Sequence, residues 1–353
     1  MLTIVADYPL EDKAKDGMAQ RVLAIDDMIA NSNRNYLQIS YRGNFKKQKY
    51  TSKTGLNVFK LNFFIHFFTI LFLLKRSKLV YFHSIYNSAK CLAFISMVKF
   101  VIDVHGIVPE ENNMKGRPIR AKIFNFVEML TLKYAEKVIV VTNNMCSHLE
   151  KKHNISLSEK KIVLPIFGEI RNENRVKQHS KDISVVYVGG CQVWQNIDLM
   201  MSSILRLDDA RFKVKLFFPK KDVDMIFSSY PTLSNCVNVV ISSANPEEVP
   251  NILMNADLGF VLRDDNVVNN VACPTKLIEY MTFGTVPIVL SSRIGDFEEI
   301  GYEFLEIKKL YNHEFTITQL SVMADKNRQI IKKWNSTIGF EKIKLVNFLR
   351  SYL

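Results

Sequence analysis

The run Pro274-Thr275-Lys276-Leu277-Ile278-Glu279-Tyr280-Met281 puts a proline, a cation and a carboxylate within two helical turns. Pro274 suits a first helical position. The free N–H groups of the first turn can then hold a phosphate, helped by the helix dipole. Lys276 has the wrong charge for that dipole alone, and an anion bound beside it would explain its presence. Glu279, about a turn further on, can accept hydrogen bonds from both hydroxyls of a ribose. Gly284 then closes the helix and Pro287 starts the next strand. Arg263 follows the apolar run 258–262 and supplies a second cation. The simpler alternatives are a surface cation at a strand end for Arg263 and Lys276, and a solvated helix face for Glu279.

Other residues at strand ends carry chemistry of the same kind. Gly189-Gly190 permits close backbone approach of a phosphate, although any tight strand-to-helix turn uses such a pair. Trp194 either packs against a ligand or belongs to the core. In the first half, Asp103-Val104-His105-Gly106 ends a strand, and Glu110 and Glu111 follow in a loop where they can meet hydroxyls. His83-Ser84 ends another strand, with a core or capping role the simpler reading.

These residues need elements to position them. Strands are expected at 2–6, 36–40, 79–83, 100–105 and 137–142, and again at 184–188, 213–218, 237–241, 258–262 and 286–290. Helices are expected at 18–30, 63–74, 88–99, 119–135 and 143–153. In the second half they fall at 197–207, 246–255, 274–283 and 297–300, with a helical tail at 317–333 and 340–352. Asn245 and Pro246 read as the cap and first position of the 246–255 helix. Alternation of this kind gives βαβ units and parallel sheets. The polar run 169–182 reads as a linker. The expected division is an N-terminal domain at 1–168, the linker at 169–182, a C-terminal domain at 183–335 and a final helix at 336–353. In open α/β sheets a ligand lies outside the carboxyl ends of the strands, where these residues cluster.

Composition excludes several classes. The five cysteines are odd in number and contain no CxxC pair, so neither a disulfide framework nor a zinc site is expected. Met1–Ala6 is apolar but short and lacks a basic leader, so it reads as a first strand, and a cytoplasmic location is expected. The net charge is +12, and all of it lies in residues 1–161, with 25 Lys and Arg against 13 Asp and Glu. Such a half suits an anionic partner. No nucleic-acid motif accompanies the charge, so an acidic membrane surface is expected rather than nucleic acid. The stretch 61–74, LNFFIHFFTILFLL, is too short to span a bilayer. It reads either as a buried helix or as one that dips into a bilayer surface.

The run PTKLIEYMTFGTVPIV resembles the donor-site helix of retaining GT-B glycosyltransferases, in particular the family 4-like group of bacterial surface polysaccharide enzymes. DLGFVLRDD, VYVGGCQVWQNID and DVHGIVPEE extend the resemblance over most of the chain. It implies two Rossmann-like domains facing across a cleft, with the C-terminal helix crossing back to the first. The implied reaction transfers a sugar, with retention, from a nucleoside diphosphate sugar to a hydroxyl of a polyprenyl-linked saccharide. The implied setting is the inner face of the cell membrane, in lipopolysaccharide or capsule assembly. No metal or other cofactor is implied, and the acidic pair Asp264-Asp265 is not expected to bind one.

The resemblance implies that Glu279 binds the donor ribose, and that Gly17, Gly189, Gly190, Trp194, Pro274 and Thr275 contact the donor. His105, Arg263 and Lys276 take catalytic roles, while Arg21, Glu110 and Glu111 face the acceptor. Asp16 to Arg21 resembles the family's first glycine-containing turn, with one glycine in place of two. Two positions depart from the family. Its first donor-site Glu is Val271 here, and the Arg and Lys usual after the first strand of the second domain are replaced by Gly190-Cys191-Gln192-Val193-Trp194-Gln195. Arg263 and Lys276 are the substitutes available. The rival expectations are a non-catalytic glycosyltransferase-like subunit and a sugar-nucleotide 2-epimerase.

Overall fold

A computed structural model describes residues 1–9, 17–30, 32–52, 55–165, 182–207 and 211–353. The chain divides into two compact units. The first comprises Met1–Gly168 together with Thr337–Leu353, and the second comprises Glu169–Ser336.

The first unit is built on an eight-stranded sheet. Its strands are β1 (Leu2–Val5), β2 (Arg34–Ser40), β3 (Gln48–Thr51), β4 (Leu56–Asn62), β5 (Leu79–His83), β6 (Phe100–Val104), β7 (Lys137–Val140) and β8 (Lys161–Val163). The order is β3-β4-β2-β1-β5-β6-β7-β8, parallel except for the antiparallel edge pair β3–β4. The central strands β1, β5 and β6 are buried along their whole length, as expected of a sheet covered on both faces. The helices are α1 (Gly17–Asp27), α2 (Phe67–Lys75), α3 (Ile85–Lys90), α4 (Val108–Met114), α5 (Pro118–Tyr134) and α6 (Asn143–His153), with a 3-10 turn at Leu92–Met97. The α6 start is capped by Thr142, whose Oγ1 accepts from the Met145 N–H at 3.0 Å.

The second unit holds a six-stranded, all-parallel sheet. Its strands are β9 (Ile183–Val188), β10 (Phe212–Phe217), β11 (Val239–Ser242), β12 (Leu258–Val261), β13 (Val286–Val289) and β14 (Leu305–Glu306), in the order β11-β10-β9-β12-β13-β14. The helices are α7 (Ile197–Arg206), α8 (Lys220–Ser229), α9 (Val249–Met254), α10 (Val267–Asn270), α11 (Thr275–Phe283), α12 (Ile307–Tyr311) and α13 (Ile317–Arg350). The long α13 begins in the second unit, and its last part counts with the first.

Several expectations need correction. The segment 61–74 is not one helix: β4 runs to Asn62, the Asn62 side chain accepts from the Phe64 and Ile65 N–H groups, and α2 begins only at Phe67. The 88–99 helix is a short α3 followed by the 3-10 turn. Asn245 and Pro246 do not start a helix; the Asn245 N–H is taken by the Glu248 carboxylate and α9 begins at Val249. No helix forms at 297–300, where the chain makes turns. The tail helices are one helix, α13. Strands β3, β4, β8 and β14 and helices α4, α8, α10 and α12 were not expected, and Glu110 and Glu111 lie in the first turn of α4 rather than in a loop. The linker residues 169–181, and Asp16 of the first glycine turn, lie outside the described residues.

Candidate functional site

In the second unit, β9, β12 and α11 bring the chemistry together. Strand β12 crosses α11 at Gly259, where a Cβ would stand 2.4 Å from the Tyr280 ring. Only a glycine lets the helix lie this close to the sheet. Pro274 occupies the capping position before α11, not its first turn as expected, with φ −70° and ψ 118°. The Leu277 and Ile278 N–H groups both go to the Pro274 carbonyl. That leaves the Thr275 and Lys276 N–H groups outside the helical ladder. At the other end, Gly284 takes φ 75°, and its N–H bonds the Tyr280 carbonyl.

Two cations are buried here. Arg263 is 7% exposed and Lys276 8%. Arg263 Nη1 donates to Asn269 Oδ1 at 3.3 Å, and its buried Nε has no hydrogen-bond partner. Lys276 Nζ donates to Gln195 Oε1 at 3.1 Å and lies 3.6 Å above the Tyr187 ring. A Cβ on Gly189 would stand 2.8 Å from that same Nζ, so the Gly189 backbone sits against the ammonium. Among the described residues neither cation forms an ion pair with a carboxylate. Burial, and then the neighbouring Arg263, lower the Lys276 pKa well below the usual lysine value. Burial brings Arg263 down to about 10. Burial pushes the partly buried Glu279 up to about 7, against the opposing pull of Lys276. Two desolvated like charges without a counterion are costly, and a bound anion offsets the cost.

The neighbouring loop is ordered without charge. Tyr187 OH donates to the Gly190 carbonyl at 2.6 Å, and Gln192, in the stretch from which the expected Arg and Lys are absent, is exposed. Trp194, in the 3-10 turn Val193–Gln195, is partly buried, as is Thr275. Val271 is buried at 4% exposure, an apolar side chain at the family's first carboxylate position. Asp265 pairs with Arg293 at the surface.

In the first unit, Asp103 anchors a second cluster. Arg21 grips it from two nitrogens, Nε to Oδ2 at 3.0 Å and Nη2 to Oδ1 at 2.9 Å, and Tyr81 OH donates to Oδ2 at 2.8 Å. Burial opposes that negative charge, but Arg21 holds the Asp103 carboxyl well below the usual carboxylate range. His105 lies beside it, with Nδ1 3.8 Å from Oδ1 and Nε2 2.9 Å from the Met18 sulfur. His83 packs edge-on to His105 with centroids 5.2 Å apart, and burial lowers its pKa to about 3. The ligand atoms of His83, Asp103 and His105 lie within 4.8 Å of one another, close enough for one cation. Arg21 already donates to both Asp103 oxygens, which makes that set a poor cation site.

Three expected acceptor residues are placed differently from one another. Arg21 is a buried tie rather than an open cation: besides Asp103, its Nη1 donates to the Leu164 and Pro165 carbonyls. Glu110 is engaged by α6, with His148 Nε2 at 3.1 Å and Lys152 Nζ at 2.7 Å. Lys152 and His153 also hold Glu128, a fully buried carboxylate that the sequence reading missed. Glu111 enters no ion pair among the described residues. Its carboxylate lies over Gly106, where a Cβ would meet Oε1 at 2.2 Å, and burial raises its pKa. Gly17 begins α1.

A cavity of about 370 Å³ lies elsewhere, lined by Leu305, Phe315, Val322 and Met323 among others. None of the expected site residues lines it; its mostly apolar wall also includes Lys309, Glu314, Thr318 and Gln319.

No family model matches the chain, and no curated protein matches it in sequence. Solved structures do match its fold along its length. Sucrose-phosphate synthase from Thermosynechococcus elongatus is similar with a TM-score of 0.68 at 12% identity, over 99% of this chain and 98% of that one. HepE of Anabaena, solved in complex with UDP-glucose, is similar with a TM-score of 0.68 at 13% identity, over 99% of this chain and all of the other. An α,α-trehalose-phosphate synthase (UDP-forming) from Burkholderia vietnamiensis gives 0.65 at 10% identity, over 99% and 97%. The chain has the GT-B glycosyltransferase fold.

Proposed function

We propose that the protein is a glycosyltransferase that takes its sugar from a nucleoside diphosphate sugar. The observation that carries this reading is the pair Arg263 and Lys276, two buried cations without a carboxylate partner, beside the open first turn of α11 and the Gly189 backbone. A diphosphate supplies the charge that the pair lacks. Glu279 accepts from the ribose hydroxyls one turn away. Gly189, Gly190, Thr275 and Trp194 line the donor, and Pro274 sets the helix end. The structural neighbour HepE, solved with UDP-glucose, supports the same donor class.

As the sugar bond breaks, negative charge grows on the leaving diphosphate. Arg263, Lys276 and the free N–H groups of α11 stabilise it electrostatically. We assign His105 to the sugar end of the reaction and Glu111, whose pKa burial raises, to an acceptor hydroxyl. We assign the reaction as retaining and the acceptor as a lipid-linked saccharide in surface polysaccharide assembly at the inner membrane face. The sequence resemblance and the basic first half support this. No metal is assigned a role.

Acceptor-dependent release of nucleoside diphosphate tests the reading. Lys276→Ala and Arg263→Ala should each lower turnover by roughly 10²-fold or more with folding intact. Normal turnover in the double variant would sink the phosphate assignment. A second reading, a non-catalytic subunit on the same fold, draws on the buried Val271 and the exposed Gln192. Nucleotide binding without any transfer would favour it.

A further inference from the structure

One face of the first sheet carries a surface that the donor site does not use. Helix α2, the 3-10 turn Leu92–Met97 and helix α5 lie side by side on it. The turn packs against both helices, and its Phe94 meets Phe63 and Phe67 at centroid distances of 6.4 and 4.9 Å. Right-handed crossovers put the connections that follow β4, β5 and β6 on the same side. Each element turns apolar side chains outward. On α2 and the turn before it these are Phe64, Ile65, Phe68 and Phe72, with Phe68 81% exposed. On α5 they are Ile119, Ile123 and Phe126, at 76%, 58% and 53% exposure. The spacing i, i+4, i+7 makes the α5 set one stripe, opposite the buried Ala121, Val127, Thr131 and Leu132. A helix that packs inward by one stripe and shows a second to solvent has an apolar face with no partner among the described residues.

The exposed charges in and between these elements are basic, with the exposed Glu136 lying just beyond the end of α5. Residues 32–135 contain 17 Lys and Arg but only four carboxylates: Asp103, Glu110, Glu111 and Glu128. All four are buried or partly buried, and three of them are engaged by cations inside the fold. Lys75, Arg76, Lys99, Lys115, Arg117, Arg120 and Lys122 are exposed around the apolar side chains. The Arg76 guanidinium lies over the Phe72 ring at 5.2 Å, with its stem along apolar surface and its charge at the edge. Among the described residues no helix is long and apolar enough to cross a membrane.

We infer that α2, the 92–97 turn and α5 form a docking face for the surface of an anionic lipid bilayer, with Phe64, Phe68, Phe72, Ile119, Ile123 and Phe126 entering the headgroup–acyl boundary and the surrounding lysines and arginines meeting lipid phosphates. The inference rests on the membrane part of the proposed function and deepens it by naming the face. A folded nucleic acid would suit the charge, but it has no use for two exposed aliphatic and aromatic stripes.

Co-sedimentation of the full chain with phosphatidylglycerol/phosphatidylcholine vesicles tests this face, with pure phosphatidylcholine vesicles and bulk RNA as comparisons. The wild type should bind the anionic vesicles in a salt-sensitive way and bind neutral vesicles far less. Ile119→Ser/Ile123→Ser/Phe126→Ser and, separately, Phe68→Ser/Phe72→Ser should each weaken binding roughly ten-fold or more. Melting temperature, and the rise in it caused by nucleoside diphosphate, should be unchanged in both variants, because all five positions are exposed and outside the donor site. Failure of the wild type to bind anionic vesicles at low salt would overturn the membrane reading itself. Wild-type binding that both variants retain would overturn this face alone. Equal affinity for RNA, unaffected by either set of substitutions, would show a charge-driven surface and would also overturn it.

Discussion

Lys276 and Glu279 sit three residues apart on one buried helix face, and burial moves their pKa values in opposite directions. The Glu279 carboxyl is raised to about 7 from an ordinary 4.5. A raised pKa gives stability that is full below the unfolded value and is lost as pH climbs through the folded one. The ligand-free protein should therefore lose stability between about pH 4.5 and 7 from this group, by up to about 3 kcal/mol. Glu279→Gln should flatten the fall in melting temperature over that window. It should also weaken nucleotide binding, because a neutral amide is a poorer acceptor for ribose hydroxyls. An unchanged slope in the variant would remove Glu279 from the buried group. Lys276 carries the opposite linkage. Its charged form is disfavoured when no anion is present, so a diphosphate should bind with proton uptake as pH rises. Calorimetry of Glu279→Gln in buffers of different ionisation enthalpy would read that uptake without the glutamate's contribution.

At the scale of elements, the α11 face was legible because its signals are local: a proline before the helix, a glycine after it, and charged residues one turn apart. Arg263 was legible as the residue after a continuous apolar run. What the sequence concealed depended on contacts between distant residues. Nothing local marks Arg21 as the partner of Asp103, 82 positions away, or Glu110 and Glu128 as ligands of the α6 cations. An arginine in the early turns of a helix reads as exposed until a buried aspartate is found behind it. Strand β3 was missed because Gln48-Lys49-Tyr50-Thr51 is an exposed edge with no apolar alternation. The apolar run 61–74 misled because strand end, turn and helix share one composition, and only the Asn62 side chain marks the break. Gly259 gives the element-scale prediction. Gly259→Ala would drive a Cβ into the Tyr280 ring and push α11 from the sheet, at a cost of roughly 1–3 kcal/mol. Thermal unfolding reads that loss, and nucleotide affinity should fall with it because Lys276 and Glu279 ride on the same helix. Full stability in the variant would mean that the helix does not lie against the sheet as described.

The molecule as a whole comprises two units, each built on a largely parallel sheet. The second holds the helix end, glycine turn and two buried cations of the proposed diphosphate site. The first holds a histidine–aspartate cluster and a basic, apolar-striped face. The fold was legible from alternating strands and helices, and its similarity to solved GT-B structures extends over nearly the whole chain. The central claim is that the Arg263–Lys276 pocket takes a nucleoside diphosphate. Its most direct test is the melting temperature of the purified protein against a panel of nucleoside mono- and diphosphates and nucleotide sugars. The account predicts that at least one nucleoside diphosphate or its sugar raises it, that the matching monophosphate does so far less, and that Arg263→Ala/Lys276→Ala abolishes the rise. If no diphosphate shifts the wild type, or if the double variant responds as the wild type does, the claim is contradicted.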